Sequence, residues 1–159
     1  MRRGHDRKDC LMGAHVLRFM ACMVMFLLWI VAPAMGQEYV LYPGFPPLKQ
    51  SQAFTEFLKS PRNDYAKLLF LIDRFGDADI KVIYNGYEFE ALFAAGVARW
   101  FLKIYYRGQD PKTWILQWCN RSIPNDELIR VKLPDRRYLL SRDVLSKELA
   151  QLQEAIASL

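Results

Sequence analysis

A run of 14 apolar residues, 19–32 (FMACMVMFLLWIVA), stands between a basic stretch and Pro33, and it decides which part of the chain is left to fold. A helix that spans a membrane needs roughly 20 apolar residues, so this run is too short to be one and has instead the length of the apolar region of an export signal. Residues 1–18 carry Arg2, Arg3, Arg7, Lys8 and Arg18 against Asp6 and Asp9, a net of +3. Pro33 stops the helical stretch, and Ala34 and Gly36 put small residues where a signal peptidase reads the chain, so cleavage is expected between Gly36 and Gln37. An uncleaved signal would make the protein a membrane-anchored accessory subunit, with contact to the membrane only through that segment.

Removing 36 of the 159 residues leaves 123, enough for one domain with a modest core. His5, His15, Cys10 and Cys22 all lie in the leader, so the exported part has no histidine and the single Cys119. That excludes a Ser–His or Cys–His nucleophile pair, an intramolecular disulfide and an ordinary His/Cys zinc site. The remaining 17 basic and 15 acidic residues give a net charge of +2, and nothing in that balance points to nucleic acid. No phosphate-binding glycine loop or nucleophile elbow occurs, and the sequence assigns no catalytic residue, metal or cofactor.

Residues 37–50 hold Pro43, Gly44, Pro46 and Pro47 and read as an extended lead-in to a single domain over residues 51–159. Phe54, Phe57 and Leu58 have helical spacing, and Ser60-Pro61 reads as the cap and first residue of a second helix. Its apolar face runs through Tyr65, Leu68, Leu69, Ile72 and Phe75 and stops at Gly76. Ile80, Val82 and Tyr84 alternate with Lys81 and Ile83 as a strand that Asn85-Gly86 turns. A long helix is expected over residues 89–106, ended by Gly108, and another capped by Asp110-Pro111. Ile129, Val131 and Leu133 mark a second strand, turned by Pro134-Asp135-Arg136, after which Tyr138 to Leu140 pairs back. Ser141 caps a last helix with Leu145, Leu149, Leu152, Ile156 and Leu159 along one side. The expected fold is α+β, four or five helices packed on a small, mainly antiparallel sheet of two or three strands.

Arg99, Lys103 and Arg107 recur every four residues and form a basic stripe, with Tyr105 and Tyr106 beside it as a stacking surface. Ten aromatics lie between Tyr84 and Trp118, too many for one core, so some are expected to line a groove. Asp73, Asp77 and Asp79 lack the ligand spacing of a calcium loop and read as a helix exit. Glu88 and Glu90 read as helix-start charges, and Asn120-Arg121-Ser122 has the form of a glycosylation sequon.

Val82-Ile83-Tyr84-Asn85-Gly86, Phe89, Ala94-Ala95, Lys103, Trp114-Ile115, Ser122, Val131 and Pro134-Asp135 together resemble, over residues 65–152, a family of small exported bacterial proteins of unknown function. The resemblance implies the fold and an exported location, and it draws attention to the polar positions Asn85, Gly86, Ser122, Asn125 and Asp126. The chain departs from the family where Arg99-Trp100 replaces His-Leu and Asn125-Asp126 replaces Ser-Gly. The expected function is that of a periplasmic or secreted, non-enzymatic domain that binds a protein or an envelope glycan through the basic, aromatic-rich helix. The alternative is an envelope hydrolase using carboxylates such as Glu88 or Asp126.

Overall fold

A computed structural model describes residues 40–159; the expected export signal and the expected cleavage point at Gly36 and Gln37 lie outside the described residues. Five α-helices are described: α1 Gln52–Lys59, α2 Asp64–Gly76, α3 Ala91–Tyr105, α4 Pro111–Trp118 and α5 Ser141–Ala157. They accompany a four-stranded antiparallel sheet of β1 Lys81–Tyr84, β2 Tyr87–Glu90, β3 Arg130–Lys132 and β4 Tyr138–Leu140, in the order β2-β1-β3-β4. The α+β class is as expected; the sheet has four strands and not two or three. None of the described helices is long and apolar enough to cross a membrane.

The extra strand is β2, taken from the start of the expected 89–106 helix. Asn85 and Gly86 both have positive φ, 51° and 77°, which makes the tight hairpin that sends the chain straight back along β1. Residues 87–90 then alternate as a strand does, so Phe89 lies opposite Val82 on the core face while Glu88 and Glu90 face out. The two carboxylates are therefore cross-strand partners and not helix-start charges: Glu88 meets Lys132 at 2.7 Å and Glu90 meets Lys81 at 3.1 Å. The inner row runs Phe89, Val82, Val131, Leu139 across the four strands, and the outer face is largely polar.

Asn63, not Ser60, starts α2, because its side chain accepts from Ala66 N at 2.9 Å; Ser60 instead closes α1 by donating to Phe57 O at 2.8 Å. At α4, the Asp110 carboxylate accepts from Lys112 N and Thr113 N, as the Asp-Pro pair predicts. The proline-rich stretch is more than a lead-in. Tyr42, Phe45 and Leu48 are buried in the main core with Phe54, Phe70 and Val131, and Leu48–Gln50 forms a turn of 3₁₀ helix. The seam of α5 packs on the same core through Leu145, Leu149 and Leu152, each such side chain contributing about 1.5–3 kcal/mol of burial. On its other side α2 meets a second cluster, Leu68 with Leu102 and Trp114.

Candidate binding cleft beneath helix α3

Small residues set how α3 sits. A Cβ added at Gly76 would stand 3.0 Å from Ala95 Cβ, so α2 and α3 approach as closely as their backbones allow. Ala94 and Ala98, on the adjoining face of α3, do not fill the space between that helix, the sheet and α4. The result is a half-open cleft of about 300 Å³, walled by Phe75 of α2, Ala94 and Ala98 of α3, Trp114 and Trp118 of α4 and Val82 of β1. That volume is at the lower end of small-molecule sites, and the lining is almost wholly apolar.

The polar positions singled out in the sequence lie on two separate stretches of chain, next to the lining residues Tyr84, Arg121 and Ile123. Asn85 and Gly86 form the β1–β2 turn directly after Tyr84, and the Tyr84 hydroxyl accepts from Ile123 N at 3.3 Å; Tyr84 and Ile123 both line the cleft. Buried Ser122 holds the 120–129 loop in shape, its N–H donating to Glu127 O and its hydroxyl accepting from Glu127 N. Asp126 has a φ of 55° and accepts from Arg121 at 3.1 Å, while Asn125 is exposed. The Asn85 side-chain oxygen Oδ1 and the Trp118 indole nitrogen are buried without a hydrogen-bond partner among the described residues.

The basic stripe is largely occupied within the protein. Arg99 is ion-paired with Asp73 of α2. Arg107 donates to Ile104 O at 2.7 Å and Tyr106 O at 2.8 Å, closing the end of α3. Lys103 is exposed. Tyr105 packs on Phe101 and Trp118, with centroids 4.3 and 5.5 Å away, and Tyr106 packs on Tyr65 at 5.2 Å. Burial raises the Tyr106 hydroxyl above its ordinary pKa.

Beside the stripe lies a feature the sequence reading missed: Leu92 (73% exposed), Trp100 (61%), Phe93, Val97 and Ile104 make an exposed apolar ridge along α3. The signal for it was present, since apolar residues occur on every face of this helix and only one face can meet the core. Phe93 and Val97 belong both to the ridge and to the cleft, so apolar surface runs continuously from the interior to the outside.

The carboxylates considered for hydrolysis are placed apart, Glu88 on the outer face of β2 and Asp126 in the loop after α4. The hydrogen bond from Lys132 holds the Glu88 carboxyl below its ordinary range, which suits an ion pair and not a proton donor. Cys119 lines the cleft, and although part of the residue is exposed, burial of its thiol pushes the pKa up to about 12. At pH 8 it is expected to alkylate roughly a thousand times more slowly than an open thiol. Mass spectrometry of the Cys119 peptide, before and after denaturation, measures this; equal rates would mean that the thiol is not enclosed.

No protein-family model, curated protein or solved structure matches this chain.

Proposed function

We propose that this chain is an exported, non-enzymatic binding module that takes the apolar part of a small envelope molecule into the cleft beneath α3. The supporting observation is the cleft itself: about 300 Å³ of space walled by aliphatic and aromatic side chains and open along Phe93 and Val97. Displacing water from such walls is favourable without any reacting group. Export rests on the leader and agrees with the family that the chain resembles. A partner held by the basic stripe alone is less well supported, because Arg99 and Arg107 already have partners within the domain.

Ala98→Phe places a ring in the cleft and tests the reading. Fluorescence titration with the neutral probe phenylnaphthylamine is expected to show saturable binding to the purified protein and about tenfold weaker binding to the variant. Thermal unfolding, little changed by a side chain that fills existing space, controls for folding. Equal binding by two folded proteins would place the probe elsewhere and reject the cleft as the site.

A further inference from the structure

Among the described residues that line the cleft there is one ionisable group that carries a charge near neutral pH, and it is a cation: Arg121. Its position is set by the loop after α4, where Nη1 donates to Asp126 O at 2.6 Å and to the Asp126 carboxylate at 3.1 Å. Both bonds use the same nitrogen. The edge of the guanidinium formed by Nε and Nη2 makes no hydrogen bond within the described residues, and that edge is the one whose two parallel N–H groups match the two oxygens of an anion.

Tyr84 also lines the cleft and meets the same loop. Its hydroxyl oxygen accepts from Ile123 N, two residues from Arg121, and its own O–H makes no bond within the described residues. Two donors from separate elements, one of them cationic, thus line a cleft whose other walls are almost wholly apolar. Among the described residues no carboxylate lines the cleft to repel an anion; the nearby Asp126 side chain is turned to solvent, 81% exposed.

We propose, resting on the cleft reading above, that the ligand is a single-chain amphiphile with an anionic head. The tail lies against Phe75, Ala94, Ala98 and Trp114, and the head accepts from Arg121 and Tyr84. A carboxylate is the smallest head that fits this description. A neutral head leaves the free edge of Arg121 unused, and a cationic head is repelled by it. Asp126 acts as an internal competitor that holds the guanidinium in place while the site is empty.

Displacement of phenylnaphthylamine by decanoate, decanol and decyltrimethylammonium tests the head separately from the cleft. Decanoate is expected to bind at least tenfold more tightly than decanol, and the ammonium amphiphile most weakly. From octanoate to decanoate each added methylene that fits tightens binding about fourfold. Arg121→Gln is expected to remove the preference for decanoate and leave decanol unchanged. Asp126→Asn, tolerated at a positive φ, is expected to strengthen decanoate. Because that variant raises affinity, damage to the loop does not imitate its effect. Equal affinities for the three heads, or an Arg121→Gln protein that keeps its preference, overturn the anionic head while leaving the apolar cleft standing. Failure of every amphiphile and of the probe overturns both.

Discussion

Replacing Glu148 by alanine is expected to lower the unfolding free energy by about 3–5 kcal/mol, a large share of what holds a domain of this size. Glu148 of α5 and Arg74 of α2 are 0% and 1% exposed and form an ion pair within the main core. Arg74 also donates through Nη2 to Pro46 O at 2.9 Å and lies over the Phe45 ring, 5.7 Å from its centroid. Without Glu148 the guanidinium stays enclosed with only a carbonyl and a ring to answer its charge. Urea denaturation of the two proteins measures the difference. The double variant Arg74→Met/Glu148→Leu is expected to recover most of the loss, since removing both charges also removes their desolvation cost. A single-variant loss under about 1 kcal/mol would mean that water reaches the pair.

The pH dependence follows from the same burial. Desolvation raises the Glu148 pKa above its ordinary value near 4.5, and the opposing attraction of Arg74 does not cancel it. A carboxyl with a raised folded-state pKa contributes stability that is fully present below the unfolded value and declines as pH rises through the folded one. Acidification from neutral pH toward 5 therefore does not weaken the fold through this group.

Gly44→Ala is expected to cost about 2–4 kcal/mol, from a left-handed backbone position and from overpacking together. Gly44 has a φ of 90°, and a Cβ there would stand 2.5 Å from Asp79 O and 3.0 Å from the Pro134 side chain. Its carbonyl also accepts from Asp79 N at 2.9 Å, so the stretch before α1 is fastened to the entry of β1. A shift in urea midpoint measures the cost. A variant as stable as the parent would mean that residues 40–50 move aside freely, contrary to the burial of Tyr42 and Phe45.

Gly44, and the Phe45 and Pro46 contacts of Arg74, belong to a stretch that reads as a linker. Prolines and a glycine disfavour regular pairing, and that local property is real, since residues 40–47 lie outside any helix or strand. Whether irregular chain is loose or packed depends on what lies opposite, which no property of Pro43 or Pro46 encodes. The hairpin shows the same division. Asn85-Gly86 states its own turn, yet the hairpin partner of β1 is the segment YEFE, whose alternation is only four residues long and precedes a strongly helical stretch.

Local chemistry was sufficient wherever the signal lies within a few residues. The Asp110-Pro111 cap, the α5 seam from Leu145 to Leu152, the positive-φ turn and the α+β class all follow from the order of side chains; Leu159, read as the end of that seam, lies past α5 and is exposed. The candidate site was legible in part: the polar positions around Asn85 and Ser122 were marked, but Arg121 and Tyr84 gained meaning only when the β1–β2 turn and the 120–129 loop met. The ion pair joins residues 74 positions apart, and the cleft is a volume left unfilled between α2, α3, α4 and the sheet. An empty space belongs to no single residue, and Ala94 and Ala98 create one only because the packed elements hold the other walls away from them.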